Sequence, residues 1–313
     1  NVTCEKSKYG VLLNGLDEES NIHDIHIKNC TFNGVQDQPV RRTGKSHNIR
    51  FDNLVINGKT ILSEAPFKRY SEWMTWSEMQ RVPEPYYLDF TDKKKRPHGK
   101  WSYVMGIEME GMLDTWLAYQ NPAIAEYLKK YPAKMIDAEG NVTGYKLEDY
   151  NLDNVRTGRF ILRMNRLFPD AKTAGTQKAV ETIFKQLQKQ PRTKTGAGGK
   201  GVFWHKAIYA WQVWLDGIYM GLPFYTMSAE ELLGAKKAKK VYDDAVNQIG
   251  TTFERTYDEK TGLWKHAWDE RHTMFWADKE TGLSKHSWAR AMGWFTMAMV
   301  EILDALPENY ARR

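Results

Sequence analysis

Cysteine is scarce in this sequence, with only Cys4 and Cys30 among 313 residues. Two cysteines exclude a disulfide-rich scaffold and a zinc site whose usual four ligands are all thiolates. No apolar run approaches the roughly 20 residues that a membrane-spanning helix needs. We therefore expect neither a cysteine-stapled domain nor a membrane partner.

An export signal is also missing from the start of the sequence. The chain begins Asn1-Val2-Thr3-Cys4, without Met and without a basic stretch followed by an apolar one. We therefore expect the chain to begin inside a longer product. The localisation is unknown from this sequence, and it would be periplasmic or secreted if the longer product carries a signal peptide.

The net charge excludes fewer classes of protein than the low cysteine content does. The net charge of +6 describes a mildly basic surface, which could attract an acidic polymer or be an ordinary solvated surface. The run Lys93-Lys94-Lys95-Arg96 is interpreted as a loop ahead of a helix, so no nucleic-acid partner is expected. The glycine-rich segment 196–201 lacks Ser or Thr after Lys200 and does not follow a strand, which favours a mobile loop over a phosphate loop.

Aromatic residues are abundant, at 13% of the chain with 12 Trp. Clusters of Trp are typical of a heavy core, a sugar platform or both. Arg290 and Trp294 stand one helical turn apart and would share a face of the last predicted helix. Trp can stack on a sugar ring and Arg can bind a carboxylate through two hydrogen bonds, so the pair would suit a uronic acid. A surface cation–π or salt-bridge pair is the alternative.

Residues 1–62 are predicted to form short strands, because apolar and polar residues mostly alternate there. Three units begin near residues 1, 29 and 53, and the later two close on Asn-Gly. Repeats of this length indicate coils of a solenoid, whose corners need the positive φ that Asn-Gly supplies. A pair of hairpins is the alternative. Cys4 and Cys30 are expected inside the solenoid as small apolar residues.

Residues 63–100 are interpreted as a linker with four prolines and one helix, over about 68–80, that leads into the next region. From Trp101 the apolar period becomes helical, so 101–313 is predicted to be mainly α, with short hairpins only near 257–288. Long helices joined by polar and aromatic loops favour an α/α toroid or barrel. The helices are predicted near 103–119, 122–131, 154–167, 173–189, 204–220, 228–254 and 286–305.

Two carboxylates stand out in this helical region. Asp216 follows Trp214 and precedes Tyr219, and the partial desolvation expected there would raise its pKa towards that of a general acid. If 204–220 were one helix, His205 would lie on the same face as Asp216, three turns earlier. A buried Asp bonded to a loop is the alternative. Asp153 opens the predicted helix 154–167, and its residue type alone favours an N-cap.

Residues 258–268 and 278–288 are near copies of each other. Both read Asp-x-x-Thr-Gly-Leu-x-Lys-His-x-Trp, and they begin twenty residues apart. The Asp and Gly residues predict a reverse turn in each copy. Either His266 or His286 could line a pocket, and the residues alone do not choose between them. A metal site made from both histidines and an Asp matches no strong spacing motif.

Several motifs, taken in order, resemble glycoside hydrolase family 105, the unsaturated rhamnogalacturonyl hydrolases. The match covers residues 66–313. Its motifs are Trp101-Ser102-Tyr103, Leu152-Asp153, Trp204-His205-Lys206, Trp214-Leu215-Asp216-Gly217, Lys265-His266-Ala267-Trp268-Asp269-Glu270 and Trp288-Ala289-Arg290-Ala291-Met292-Gly293-Trp294. The resemblance implies a six-hairpin α/α barrel that needs no metal or other cofactor and takes an acidic oligosaccharide as its partner.

The same resemblance implies an unusual hydrolysis, in which one Asp protonates a C4=C5 double bond of the sugar and activates water to add across it. The glycosidic bond then breaks without the two-carboxylate attack at the anomeric carbon. By position, Asp216 matches the acid/base and Asp153 the second carboxylate, whereas His286 has no counterpart. The residues implied to line the subsite are Tyr103, His205, Lys206, Trp214, His266, Trp288, Arg290 and Trp294.

Residues 1–62 resemble the last rungs of the right-handed parallel β-helix of polygalacturonases, glycoside hydrolase family 28. None of that family's catalytic Asp clusters is found there, so this segment is assigned no activity. The helical region departs from its own family, because the chain stops at Arg313 and the predicted helices are too few for six hairpins. We therefore expect a partial barrel whose open apolar face promotes self-association.

Two other functions stay open at this stage. One is an unsaturated glucuronyl hydrolase that acts on glycosaminoglycan fragments and is built on the same barrel. The other is an inactive or oligosaccharide-binding fragment, because the incomplete barrel would not hold the site residues in place.

Overall fold

The computed structural model describes residues 2–15, 22–61 and 69–313. The chain divides into two compact units, residues 1–80 and 81–313, and each is described by itself. Residues 63–68 of the predicted linker lie outside the described residues. Within the described ranges, no helix is long and apolar enough to cross a bilayer.

The first unit is built from parallel strands. Val2 pairs with Cys30, and Cys30 pairs with Leu54, so the strands align at the spacing of the sequence repeat. This parallel pairing contradicts the alternative of two hairpins. An antiparallel pair joins the last two described strands of the unit around Asn57-Gly58. That the strands are rungs of a β-helix stays a prediction. The strands are β1 (Val2–Cys4), β2 (Val11–Asn14), β3 (Ile22–Phe32), β4 (Val40–Thr43), β5 (Ser46–Ile56) and β6 (Lys59–Ile61).

Asparagines in the left-handed conformation lie within the two long strands of this unit. Asn29 and Asn53 both have positive φ, at 52° and 50°, and the Asn53 amide donates to the Asn29 side-chain oxygen at 3.1 Å. Asn tolerates this left-handed conformation better than other residues with a side chain. Apolar side chains from β3 and β5 form much of the buried core of this unit. Cys30 is buried with them, as expected, whereas Cys4 is only half-buried.

Helices are the main elements of the second unit, which confirms the mainly α prediction. The helix α1 (Tyr70–Arg81) precedes them, close to the predicted 68–80. Four helices, α2, α4, α6 and α8, are successive neighbours, and α3, α5 and α7 pack against their outer side. This alternation is that of α/α hairpins. The helices are α2 (Tyr103–Tyr119), α3 (Pro122–Met135), α4 (Asp153–Leu167), α5 (Ala174–Lys189), α6 (Leu215–Leu233), α7 (Ala235–Thr256) and α8 (Ala289–Ala305).

The predicted helix 204–220 is wrong in its first half. Residues 204–211 form a loop that closes on itself, because the His205 amide donates to the Gln212 carbonyl at 2.9 Å and Trp211 has a φ of 68°. The strand β7 (Gln212–Trp214) follows, and α6 begins only at Leu215. His205 and Asp216 are therefore not on one helix.

The remaining strands form short ribbons, as expected for 257–288. β8 (Tyr257–Asp258) and β9 (Leu263–Trp264) form a hairpin, and β10 (Ala267–Asp269) pairs antiparallel with β7. The predicted helix 228–254 is split in the structure. Gly234, with a φ of 76°, separates α6 from α7.

Candidate active site

The helices α2, α4, α6 and α8, here called the inner helices, begin at the same end of the second unit. The Trp101 ring N–H, just before α2, donates to the Asn154 carbonyl in the first turn of α4 at 2.9 Å. Leu152, just before α4, packs against Gly217 in the first turn of α6. Helix N-termini present unbonded N–H groups and partial positive charge, which favour anions. The helices thus place four of the predicted site residues in their first turns: Tyr103, Asp153, Asp216 and Arg290.

Asp216 is the second residue of α6, and its side chain is only 18% exposed. Burial raises the pKa of its carboxyl above the ordinary 3.8. Arg290, whose Nη2 lies 3.9 Å from Oδ1, opposes that rise, and the negative charge of Asp153 adds to it. The raised pKa agrees with the partial desolvation that the sequence predicted for this carboxyl, and its catalytic role stays a prediction.

Asp153 is not an N-cap, contrary to what its residue type favoured. It is the first residue of α4, and its amide is capped by the side chain of Asn151 at 3.1 Å. Its carboxylate instead lies 2.6 Å from the Lys206 Nζ and 3.6 Å from the His205 Nε2. Asp153 is therefore held at the site by an ion pair from the 204–211 loop.

His205 is buried beneath parallel aromatic rings. Its ring stacks on Trp214 at 4.7 Å with an interplanar angle of 7°, and Tyr209 lies nearly parallel to Trp214 at 5.3 Å. Burial lowers the pKa of His205 from 6.5 to about 4, although Asp153 opposes the change. His205 is therefore a neutral ring at pH 7.

The lowered pKa of His205 predicts acid sensitivity. The folded state holds His205 neutral, so this stability is present above pH 6.5 and is lost as the pH falls from 6.5 to about 4, where only the unfolded chain gains a proton. Between pH 7.5 and 4.5 this loss amounts to about 2–3 kcal/mol. Urea denaturation at both pH values should show an acid-induced loss smaller by that amount in His205→Gln. An equal loss in both proteins would contradict the prediction.

Gly217 permits the close approach of His205 to α6. A Cβ at this position would lie 2.7 Å from the His205 Nδ1 and 3.2 Å from the Leu152 Cδ1, closer than real side chains pack. The glycine therefore brings His205 against α6, at the residue after Asp216, by a contact between loop and helix. The predicted shared helical face of His205 and Asp216 was wrong.

Gly217→Ala should displace His205 and destabilise the protein by about 1–3 kcal/mol, because the added methyl overpacks a filled site. Gly293→Ala in α8 is the matched control, since nothing lies within 4 Å of a Cβ there. That substitution should be neutral or stabilise by up to about 1 kcal/mol, through helix propensity alone. Thermal melts of the two variants compare them, and equal effects would rule out the proposed crowding.

The β7–β10 ribbon carries His266 to the start of α6. The carbonyl of His266 accepts from the Leu215 amide at 3.0 Å. Its ring Nδ1 lies 2.9 Å from the His286 carbonyl, which only accepts hydrogen bonds, so Nδ1 is the donor. His286 contributes its carbonyl, and its ring is exposed. The structure therefore separates the two near-copy histidines, because His266 is close enough to lower the pKa of Asp216, whereas the His286 ring is exposed.

Two residues of α8, one turn apart, lie against residues of α6. Arg290 lies near Asp216, and Trp294, one turn later, stacks on Tyr219 with ring centroids 4.9 Å apart and an angle of 12°. Trp288 precedes the helix and is 54% exposed, with the Arg290 guanidinium 5.9 Å from its ring centre. The cation–π contact of Arg290 is thus made with Trp288, whereas the sequence alternative had paired Arg290 with Trp294.

Sequence reasoning did not single out Tyr209 or Gly217 as contributors to the site. Their roles arise from ring stacking and close approach across a loop, for which the one-dimensional pattern carries no signal. Tyr103 is half-buried at the start of α2. Among the described residues, no three His, Cys, Asp or Glu side chains are arranged to hold a metal ion.

A family profile described as Glycosyl Hydrolase Family 88 matches residues 70–313. The matched range contains α2 to α8 and every candidate site residue. The chain belongs to glycosyl hydrolase family 88. This family 88 member also resembles solved structures of family 105, which partly confirms the resemblance seen in the motifs.

One similar structure is a glycoside hydrolase from family 105 of C. acetobutylicum ATCC 824. It is 33% identical, with a TM-score of 0.67, over 78% of this chain and 61% of that chain. A possible family 105 member from Klebsiella pneumoniae has 19% identity and a TM-score of 0.54, over 69% of this chain and 51% of that one, which shows the fold alone. The α/α barrel class is thus shared with these neighbours.

A curated relative of this family 88 member is Protein Atu3128 of Agrobacterium fabrum. It is 35% identical over 92 residues, which are 29% of this chain and 37% of that protein. The 24.9 kDa protein in the picA locus of Rhizobium radiobacter matches over the same shares. The chain therefore spans a little over a third of these curated relatives.

Proposed function

We propose that this family 88 member removes an unsaturated galacturonyl residue from the non-reducing end of rhamnogalacturonan or related pectin oligosaccharides. The observation that carries the proposal is Asp216, a desolvated carboxyl at the mouth of four helix N-termini, with Arg290 on one side and Asp153 on the other. The motif set and the 33% identical family 105 structure support this substrate class.

The charge of the site suits an acidic sugar. The Arg290 side chain is 62% exposed, so its guanidinium can bind the uronate carboxylate while it stays near Asp216. Trp288 and Trp294 offer ring faces on which a sugar can stack. The helix N-termini add partial positive charge around the same space.

Asp216 performs both proton transfers in the proposed reaction. Its carboxyl gives a proton to C4 of the C4=C5 bond, and water adds its oxygen to C5 while returning a proton to Asp216. The resulting hemiketal at C5 opens by breaking its bond to the ring oxygen. The C5 hydroxyl loses its proton as C5 becomes a ketone, and the ring oxygen takes up a proton and stays on C1 as a hydroxyl. C1 is now a hemiacetal, which collapses to an aldehyde: the hydroxyl loses its proton, the bond from C1 to the glycosidic oxygen breaks, and the rest of the oligosaccharide leaves with that oxygen protonated.

Asp153 is proposed to face the sugar beside this carboxyl. Its ion pair with Lys206 fixes its position, and its negative charge helps to keep Asp216 protonated until substrate binds. Neutral His205 and Trp214 would form the wall behind both groups.

A panel of unsaturated disaccharides tests the proposal. We expect the ultraviolet absorbance of the double bond to disappear with the rhamnose-linked galacturonyl substrate and to persist with a glycosaminoglycan disaccharide. The reverse result would identify a glucuronyl hydrolase. Calorimetric binding without absorbance loss on either substrate would identify an oligosaccharide-binding protein and overturn the proposed enzyme.

A further inference from the structure

A buried polar network ties the four inner helices together below the candidate active site. Arg156 on α4 donates to Glu110 on α2 and, at 2.9 Å, to Glu301 on α8. Arg159, one turn later on α4, donates to Glu110 at 2.6 Å. Arg156 and Glu110 are 2% and 3% exposed, so these charges are paired inside the protein and do not face solvent.

Tyr219 connects this network to the site. Its ring lies against two groups: the Trp294 ring, at 4.9 Å, and the Arg156 guanidinium, at 4.2 Å from the ring centre. Its hydroxyl lies 3.3 Å from the Glu301 Oε1. Burial raises the pKa of this hydroxyl, so it stays protonated and donates to the carboxylate.

We propose that Tyr219 is a positioning residue that sets the plane of Trp294, the sugar platform of the proposed reaction. The sugar-binding role of Trp294 rests on the proposed function, whereas the placement of its ring by Tyr219 rests on geometry alone. Tyr219 is well suited to this role because ring, hydroxyl and cation contacts fix it from three directions. Trp294 itself is only half-buried, so without the Tyr219 ring its indole would have one less surface to define its orientation.

The direct test is spectroscopic and needs no substrate. The near-ultraviolet circular dichroism of Trp294 is obtained as the difference between the parent protein and Trp294→Phe. Tyr219→Met removes the ring while filling its space, and we expect at least half of the Trp294 signal to disappear. Tyr219→Phe keeps the ring and loses the Glu301 contact, so a smaller loss is expected. Tyr225→Met, also on α6 but packed on Phe184 and Phe203, should leave the Trp294 signal unchanged.

Kinetics on the unsaturated disaccharide form the second readout. Tyr219→Met should raise KM about three- to tenfold, the value of one aromatic pair, and change kcat less. In a Trp294→Ala background the same substitution should have no further effect on KM, because its action passes through Trp294.

The two readouts separate failure of this inference from failure of the proposed function. An unchanged Trp294 signal in both Tyr219→Met and Tyr219→Phe overturns the positioning role, whatever the substrate. A KM increase that persists in the Trp294→Ala background overturns it as well. A lost signal in a protein that hydrolyses none of the disaccharides keeps the positioning role and rejects only the reaction.

Discussion

Asp216→Asn should lower kcat by about 10³–10⁴-fold, the range of a general acid–base group that acts in both proton transfers. The amide can neither donate the first proton to C4 nor accept one from water. Its shape is nearly that of the carboxylic acid, so the contacts around it, including the one to Arg290, should persist. Steady-state absorbance assays give kcat, and calorimetry with the unsaturated disaccharide should show binding within a few-fold of the parent.

Asp243→Asn on the outer helix α7 is the control for this substitution. It removes one carboxylate that pairs with Lys239 and Tyr310 and should leave kcat unchanged. If Asp216→Asn retained full activity, Asp216 would not be the acid/base. If both variants lost activity equally, the effect would be one of folding.

Arg156→Met should destabilise the second unit by about 3–5 kcal/mol, the usual effect of removing one partner of a buried ion pair. The side chain is 3% exposed and binds Glu110 and Glu301. Its loss leaves Glu110, whose side chain is 4% exposed, with Arg159 and Arg163, and leaves Glu301, which is 17% exposed, with Arg159 and the Tyr219 hydroxyl. Burying those charges without a full set of partners raises the free energy of the folded state.

Arg166→Met, on the same helix, is the matched control. That side chain is 40% exposed, and its ion pair with Glu231 should contribute only about 0–1 kcal/mol. Urea denaturation followed by far-ultraviolet circular dichroism measures both variants. Similar losses in the two would mean that burial of the Arg156 network does not govern its contribution to stability.

The helices could be predicted where a regular spacing of apolar residues or a local capping motif marks their bounds. The apolar residues of α2 repeat at helical spacing, and the structure has the predicted bounds. The helix α5 begins at a capping box formed by Thr173 and Thr176, a local signal. The helix prediction for 204–220 was wrong in its first half because the aromatic run there fits a helix, whereas the hydrogen bond from the His205 amide to the Gln212 carbonyl closes a loop. That bond competes with the helical pattern and is not visible in it.

Most candidate site residues could be named from motifs, but not their partners. The Asp-Gly turn chemistry of the near copies was predictable, and both turns formed, with Gly262 and Gly282 at positive φ. Two near-identical copies could not reveal which histidine approaches Asp216, because the choice depends on the β7–β10 register. The capping interpretation of Asp153 failed for a similar reason, since Lys206 reaches it from a distant part of the chain.

Along the inner helices, the groups proposed to act on the substrate and the ion pairs that stabilise the fold occupy different positions. Apart from Trp294, which lies one turn deeper on α8, the groups proposed to act on the sugar lie in the first turns and in the loops before them. The Arg156 network lies further down the same helices. Side chains at the loop tips, such as Ile208 at 79% and Phe275 at 91% exposure, contribute little to folding. Evolution or a laboratory library can therefore alter this rim to accept different oligosaccharides while the ionic layer beneath keeps the helices aligned.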